Sequence, residues 1–324
     1  MVEVLTIVGR TAGEAVWRHL QLESGAAGEV LAVYRRSLLW LAAPDQPLTL
    51  SLDPAQRGPI VLEAEGPRER LHAVLPGAKV IWRKSRLCFG PALAVDLTHV
   101  TLWSQSLPVL SSAAGLVLRE SIWHTLTERP PRAGGDLGDL ARAGTPTTVW
   151  VRAAQPIAEA LANGLVRASE AEVTAAVAGL IGLGPGLTPA GDDFLAGCLA
   201  GLQAMQDPRA GLLAAALRQA YARTTTVSRQ FLSWAIDRQY GEPIRALFAA
   251  AERGVPLQVP LSDLLAVGAS SGSDTAAGIW VGLAVSCPGP LGGTDLLRHL
   301  SLRLWSDSCD NTAPGIQLQV NAWL

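Results

Sequence analysis

The sequence predicts an α+β protein, with a β-rich domain over residues 1–105 followed by a mainly α-helical domain over residues 106–324. Between about residue 29 and residue 105, short runs rich in valine, leucine, isoleucine and tryptophan are separated by turns that contain proline and glycine, a pattern typical of strands. After about residue 106, alanine- and leucine-rich segments have the length and spacing of helices. Two of these helices begin at related glycine-rich turns.

The individual elements follow from the positions of these runs. We expect strands at residues 48–52, 60–64, 79–83 and 92–97, and helices at residues 171–180, 193–205, 208–223, 227–239 and 275–286. The stretch 129–146 is rich in glycine and proline and predicts a loop within the helical part, either a mobile connector or an active-site lid.

Composition limits the classes of partner. The chain has 324 residues, 49% of them hydrophobic, so it has enough apolar side chains for a sizeable core. Its net charge is -2 and it has no long basic run, which argues against nucleic acid as a ligand. The N-terminus lacks a signal-peptide pattern, and the longest apolar runs are short and interrupted by glycine. We therefore expect a cytoplasmic protein that does not contact a membrane.

A repeated segment is the strongest signal in the chain. Residues 191–202 and 272–283 align without gaps, and the identical pairs are Gly191/Gly272, Asp193/Asp274, Ala196/Ala277, Gly197/Gly278, Gly201/Gly282 and Leu202/Leu283. In each copy the aspartate and the last two glycines are spaced four residues apart, so they share one helix face. Glycine weakens a helix interior, and its repetition therefore suggests close backbone approach. We expect two helices that cross at these glycines and bring Asp193 near Asp274.

The turns before the two copies contain candidate anion-binding groups. Residues 181–189 contain three glycines and two prolines just before a helix, where backbone N–H groups and the helix dipole favour an anion. Residues 268–274 add serine hydroxyls. Neither turn has the pattern of a nucleotide-binding P-loop. The candidate substrate-binding residues are Gly184, Gly186, Thr188, Gly191, Thr226, Ser228, Ser271 and Gly272.

Three carboxylates are candidate catalytic groups: Asp192, Asp193 and Asp274. They could bind Mg²⁺ that bridges to an anionic substrate, or they could accept hydrogen bonds from a carbamoyl NH₂ group without any cofactor. As an alternative, Asp193 and Asp274 only cap their helices. Hydroxyls near Thr226 and Ser228 have the same two interpretations, as helix caps or as ligand donors. No histidine or cysteine spacing identifies a metal site or a nucleophile.

The repeated segments also carry a family resemblance. The run Gly182-Leu-Gly-Pro-Gly-Leu-Thr-Pro-Ala-Gly-Asp-Asp-Phe-Leu-Ala-Gly197, the run 225–228 and the later run 270–278 resemble the AllH family, over residues 180–285. This resemblance implies a subunit of oxamate carbamoyltransferase, which acts in allantoin and purine catabolism.

The implied reaction converts oxalurate and phosphate into oxamate and carbamoyl phosphate, with AllF-like and AllG-like subunits as partners. The ligands would then be a small carbamoyl or carboxylate anion and phosphate. Two other functions stay open: a noncatalytic assembly subunit of such a complex, or a metal-dependent amide or ureide hydrolase.

Overall fold

The fold consists of a closed β-sheet followed by a helical region. A computed structural model describes residues 4–21, 25–43, 46–103, 106–132, 134–142 and 148–287. The last strand ends at Trp103 and the next long helix begins at Ser112, so the change from strands to helices falls where the sequence predicts it. The predicted fold class is therefore confirmed.

Nine strands form the N-terminal sheet. They are β1 (Leu5–Gly13), β2 (Ala26–Val33), β3 (Ser37–Ala43), β4 (Gln46–Ser51), β5 (Val61–Glu65), β6 (Lys79–Arg83), β7 (Arg86–Phe89), β8 (Leu93–Asp96) and β9 (Thr101–Trp103). Eight of them close into a barrel in the order β5-β4-β3-β2-β6-β7-β8-β1, because β1 also pairs with β5. β9 continues the sheet by pairing in parallel with the end of β1.

The barrel has its own apolar core. Trp40 and Phe89 are fully buried in it, with ring centroids 5.5 Å apart and planes at 81°, an edge-to-face contact. Its first strand begins at Leu5, well before residue 29, and the short helix α1 (Glu14–Leu20) follows. No strand is predicted there from the sequence, because β1 pairs with β5, β8 and β9, all distant in sequence. Such pairing depends on tertiary context more than on local pattern.

The described part of the second region, up to residue 287, contains nine further helices. They are α2 (Ser112–Glu128), α3 (Val149–Val166), α4 (Glu170–Leu180), α5 (Ala190–Ala204), α6 (Arg209–Ala220), α7 (Thr226–Ile236), α8 (Glu242–Glu252), α9 (Gln258–Leu265) and α10 (Ser271–Ser286). α5 and α10 are buried along almost their whole length and lie at the centre of the helical core. In the part of the chain that the structure describes, no helix combines the length and apolar character needed to cross a lipid bilayer.

Helices α7 and α8 join the helical region to the barrel. Trp234 of α7 packs into the barrel core, and the Arg18 guanidinium lies 5.5 Å from the centre of its ring. The backbone N–H of Glu242 donates to the carbonyl oxygen of Arg57 at 2.6 Å. The Arg57 side chain in turn binds both carboxylate oxygens of Glu63 on β5, at 2.7 and 3.0 Å. This partly buried pair therefore anchors the barrel surface that contacts α8.

Candidate functional site

Helices α5 and α10 cross at the repeated glycines, as the sequence predicts. A Cβ built on Gly197 would lie 2.1 Å from the carbonyl oxygen of Thr275, and one on Gly278 would lie 1.9 Å from that of Phe194. Phe194 and Thr275 occupy equivalent positions in the two copies. The contacts are therefore reciprocal, as across a two-fold axis. Only glycine permits the two backbones to approach this closely.

The second pair of glycines repeats this relationship one turn further along. A Cβ on Gly201 would lie 2.8 Å from the carbonyl oxygen of Ile279, and one on Gly282 would lie 2.3 Å from that of Cys198. The contacts advance in the same direction along both helices, so α5 and α10 run parallel. Their N-termini therefore lie at the same end, which we call the aspartate end because it carries Asp193 and Asp274.

The first glycine of each copy also has an equivalent environment. A Cβ on Gly191 would lie 2.0 Å from the carbonyl oxygen of Leu180, at the end of α4. A Cβ on Gly272 would lie 1.9 Å from that of Leu264, near the end of α9. Each glycine lets the preceding helix pack tightly against the start of α5 or α10. Both residues were predicted to bind substrate, and these contacts assign them a role in packing.

Asp274 is fully buried in the first turns of α10. Its Oδ1 accepts a hydrogen bond of 2.6 Å from the backbone N–H of Leu137, whereas its Oδ2 has no hydrogen-bond partner among the described residues. Burial raises the pKa of Asp274 to about 7, although the hydrogen bond from Leu137 opposes this rise. The carboxyl group is therefore poised between its neutral and ionised forms near physiological pH.

Asp193 occupies the equivalent position on α5. Its Oδ2 is buried and has no hydrogen-bond partner among the described residues. Burial raises the pKa of Asp193 well above its ordinary value, the hydroxyl of Ser271 opposes this rise, and the negative charge of Asp274 adds to it. The two carboxyl groups thus lie close enough to interact electrostatically.

Neither aspartate caps its helix. The residues at the cap positions are Pro189 for α5 and Ser270 for α10, and Asp193 and Asp274 both lie further inside the first turns. The capping interpretation is therefore wrong for both. The carboxyl group of Asp274 instead binds the separate segment that begins at Leu137.

Asp192 has a different environment from its neighbour. It is buried, and it accepts hydrogen bonds from the backbone N–H of Gly182 at 2.8 Å and from the Thr224 hydroxyl. Burial raises the pKa of Asp192, and hydrogen bonds from Ser228, Thr224 and Gly182 oppose the rise. These donors join the start of α5 to the turns before α5 and α7. The geometry therefore gives Asp192 a structural role beside Asp193 and Asp274, and a catalytic role for Asp192 stays a prediction.

The glycine-rich loop before α5 presents backbone donors at the aspartate end. Gly184 and Gly186 have φ values of +105° and +100°, which L side chains rarely adopt. The N–H groups of Gly184, Gly186, Leu187 and Thr188 donate to no other group in the described parts of the chain. A run of free N–H groups in such a turn can bind an anion.

Thr188 and Ser271 connect the two loops at the same end. Their hydroxyl oxygens lie 3.2 Å apart, and both hydroxyls face the carboxyl group of Asp193. Two of the predicted binding residues, one from each turn, thus meet beside a predicted catalytic aspartate.

The hydroxyl cluster before α7 is used mainly within the protein. Thr225 caps α7 by accepting the N–H of Ser228 at 3.0 Å, and its hydroxyl donates to the carbonyl oxygen of Leu187. Ser228 is buried and binds Asp192. The capping interpretation is thus confirmed for Thr225. Ser228 supports the site through Asp192, and ligand binding by Thr226 stays a prediction.

A charged segment packs against Asp274. Its contact with the site could not be predicted from the sequence. The 3₁₀ helix Leu137–Ala141 is buried against α10. Around it lie three arginines and two aspartates, Arg129, Arg132, Arg142, Asp136 and Asp139. Asp136 is fully buried, with Nε of Arg132 3.5 Å from its Oδ2. The high density of charged residues in this stretch is visible in the sequence and indicates a special role. It does not indicate which helix these residues contact.

This segment lies between α2 and α3, as predicted, and its described part is a packed wall of the site. Residues 133 and 143–147 of the predicted loop lie outside the described residues. Within the ranges that the structure describes, no three histidine, cysteine, aspartate or glutamate side chains are grouped as a metal site requires. The aspartate end therefore has two free carboxyl oxygens, backbone donors and hydroxyls as its chemical groups.

Comparison with known proteins finds a family resemblance in the segment that carries this geometry. No solved structure matches the chain. The family model described as oxamate carbamoyltransferase subunit AllH matches residues 180–283, a segment that begins at the end of α4 and ends within α10. It includes both aspartates, both turns and all four crossing glycines. This match confirms the resemblance of residues 180–283 to the AllH family, the subunit family of oxamate carbamoyltransferase.

Proposed function

We propose that this chain is the AllH-type subunit of an oxamate carbamoyltransferase and that the aspartate end binds the reacting groups. In the proposed reaction, a phosphate oxygen attacks the terminal ureido carbon of oxalurate, and the bond from that carbon to the oxamate nitrogen breaks. The nitrogen takes up a proton, giving oxamate and carbamoyl phosphate. AllF-like and AllG-like subunits are the proposed partners.

One observation carries this proposal. Within the segment that matches the family, two carboxyl groups on two-fold-related helices lie at one end, and each has a buried oxygen without a hydrogen-bond partner among the described residues. Buried polar atoms normally have hydrogen-bond partners, because an unsatisfied one costs about 1–3 kcal/mol. A ligand with NH₂ groups supplies the missing donors, and both oxalurate and carbamoyl phosphate contain a carbamoyl NH₂.

The hydrogen-bonding groups of the site complement the negative charges of the substrates and of the developing oxyanion. The free N–H groups of the Gly184–Thr188 loop suit phosphate or the substrate carboxylate, because they act as donors at the positive end of α5. The raised pKa of Asp274 keeps part of its population protonated near neutral pH. A neutral carboxyl group can donate a hydrogen bond to the oxyanion that develops when phosphate attacks the carbamoyl carbon. The proposal requires no metal ion, and Mg²⁺ binding is an outcome that metal analysis would reveal.

The test uses Asp193→Asn and Asp274→Asn in the chain assembled with its partner subunits. Each substitution keeps the size of the side chain but removes its ability to ionise. We expect carbamoyl transfer to fall roughly 100-fold or more in each variant, the scale seen when one transition-state contact is lost. Asp263→Asn, on the exposed surface of α9, is the control and keeps full activity.

The possible outcomes separate the candidate functions. Full activity in both site variants would leave this chain as a noncatalytic assembly subunit, and it would refute the proposed site. Loss of activity on chelation, with a stoichiometric metal in the purified complex, would instead favour a metal-dependent reaction such as amide or ureide hydrolysis. Isothermal titration calorimetry of the full chain with oxamate, oxalurate and phosphate provides the corresponding binding data.

A further inference from the structure

Residues 129–132 and 134–142 form a third wall at the aspartate end, beside the glycine-rich turn before α5 and the serine-rich turn before α10. The N–H of Leu137 binds Asp274, and the Arg132 guanidinium donates to the carbonyl oxygen of Leu265 at 3.2 Å. These bonds hold the segment against both the start of α10 and the end of α9. Its charged side chains are therefore positioned at the same end of the helix pair as the candidate site.

Several buried polar atoms along this wall have no hydrogen-bond partner among the described residues. They include Nη1 of Arg129, Oδ2 of Asp274 and Oγ of Ser273. Asp274 and Ser273 are fully buried, so water at the molecular surface does not satisfy them. A cationic donor and a carboxyl acceptor are thus both left unsatisfied within range of each other's charge.

Arg129 is the arginine of this wall that is least engaged by the protein. Its closest carboxylate contact is a long one, 4.0 Å from Nη2 to Oδ2 of Asp136. Arg132 binds Asp136 at the shorter distance and also binds Leu265. Arg142 forms an ion pair with Asp139, and its Nε donates to the carbonyl oxygen of Leu126 at 3.1 Å. Nη1 and Nη2 of Arg142 also have no hydrogen-bond partner among the described residues, but the ion pair with Asp139 balances the charge of Arg142.

The unsatisfied groups of Arg129 and Asp274 favour one class of ligand over another. Phosphate offers strong acceptors for Arg129, but it supplies no amide NH₂ donor to the free oxygen of Asp274. A molecule with a carboxylate next to a carboxamide offers an acceptor for Arg129 and an NH₂ donor for Asp274 at once. A planar guanidinium is well suited to a carboxylate because it can donate two parallel hydrogen bonds.

We propose that Arg129 binds the carboxylate of an α-oxo acid amide such as oxamate, while Asp274 binds its amide nitrogen. This inference rests on the proposed function, because its ligand is the proposed substrate. It assigns one end of that substrate to Arg129, which lies outside the segment that matches the family. Arg129 is then the residue that selects a carboxylate over a neutral group at that position of the substrate.

The experiment compares binding of oxamate and oxamide, which differ only by a carboxylate in place of a carboxamide. Isothermal titration calorimetry is carried out on the chain assembled with its partner subunits. The wild-type complex is expected to prefer oxamate by roughly 10- to 100-fold, the range for a hydrogen bond to a charged group. Arg129→Gln is expected to lose most of this preference, and Arg129→Lys, which keeps the charge without the planar fork, to show an intermediate value.

Arg119→Gln is the matched control. Arg119 lies within α2 and its side chain is 15% exposed, against 20% for Arg129, but it donates to the carbonyl oxygen of Cys287 at the opposite end of α10. This variant is expected to keep the wild-type preference. Thermal unfolding of every variant identifies a loss of folding, and Arg129→Lys supplies the result if Arg129→Gln does not assemble.

The outcomes separate this inference from the proposed function. If the wild-type complex transfers carbamoyl groups but Arg129→Gln keeps the full preference for oxamate, the inference is wrong and the proposed function stands. The same holds if the active wild-type complex does not distinguish oxamate from oxamide. If the wild-type complex neither binds oxamate nor transfers carbamoyl groups, the proposed function fails and the inference fails with it.

Discussion

The backbone of Gly278 touches that of Phe194, so that a Cβ on Gly278 would lie 1.9 Å from the Phe194 carbonyl oxygen. The equivalent contact, from Gly197 to Thr275, is present on the other side of the helix pair. This reciprocal contact sets the distance between α5 and α10 and thereby the distance between the two aspartates. The glycines therefore determine the geometry of the site, although they are buried beneath it.

Gly278→Ala is expected to destabilise the protein strongly. The added methyl group would collide with backbone atoms of α5, which cannot rotate away as a side chain could, so we expect a loss of about 3 kcal/mol or more. Gly211→Ala on α6 is the control, because a Cβ there meets nothing within 4 Å. The control should be neutral or more stable by up to about 1 kcal/mol, since alanine favours a helix. Urea unfolding measures both, and equal stability of the two variants would contradict the close approach.

Asp192→Ala tests the structural role of Asp192. The substitution leaves the N–H of Gly182 and the hydroxyl of Thr224 without their acceptor, so we expect a loss of about 2–4 kcal/mol of unfolding free energy. Asp193→Ala removes an acceptor only from the hydroxyls of Thr188 and Ser271, which lie 3.2 Å apart and can bond to each other, so it should affect stability less while abolishing transfer activity. A stable Asp192→Ala variant without activity would contradict this division and assign Asp192 to catalysis.

The pH dependence of stability tests the environment of Asp274. Its pKa is about 7 in the folded protein against 3.8 as the ordinary value, so the folded state prefers the protonated form. The stabilising contribution is therefore complete below about pH 4 and is lost as the pH rises to about 7. Asp274→Asn cannot ionise, so at about pH 8 it should be more stable than the wild type, by about 4 kcal/mol at most. Equal pH profiles of the two proteins, measured by chemical unfolding, would contradict the raised pKa.

For the Arg57–Glu63 pair, the predicted dependence of stability on pH has the opposite direction. Burial acts to raise the pKa of Glu63, but hydrogen bonds from Arg57 and Thr11 outweigh it and lower the pKa. Its stabilising contribution is present above the ordinary value of 4.5 and is lost as the pH falls through the lower folded value. Glu63→Gln should cost about 1–2 kcal/mol near neutral pH and less in acid.

Glu65→Gln on the same strand is the control for that prediction. Glu65 is paired with Arg10, but its side chain is 70% exposed, so solvent weakens the interaction. We expect a change of less than about 0.5 kcal/mol. A larger effect at Glu65 than at Glu63 in thermal or chemical unfolding would contradict the assigned burial of the two pairs.

The parts of the fold that the sequence predicts are those with local patterns. The β4, β5, β6 and β8 strands are separated by proline and glycine turns, and α5 and α10 are repeated, so their positions and the crossing at Gly197 and Gly278 could be predicted. The closure of the barrel could not, because the pairing of β1 with β5 joins residues distant in sequence. The contact between Leu137 and Asp274 could not be predicted for the same reason. No local pattern links a charged turn to a helix 137 residues away.

The site shows the same division. The sequence predicts that Thr188, Asp193 and Ser271 share one end because the repeat places their turns at equivalent helix starts, and the structure brings these three together. It does not separate Asp192 from Asp193, because only the folded protein shows that three donors, from the turn before α5 and from the start of α7, surround Asp192. Arg129 was missed because its relation to Asp274 depends on the packing of the wall against α10.

The most direct test of the central claim is an experimental structure of the chain assembled with its partner subunits, crystallised with oxamate and phosphate. We predict a ligand at the aspartate end, with an amide nitrogen on the free oxygen of Asp193 or Asp274 and an anionic group on the Gly184–Thr188 loop. A structure in which both ligands bind only to a partner subunit, with the aspartate end unchanged, would contradict it.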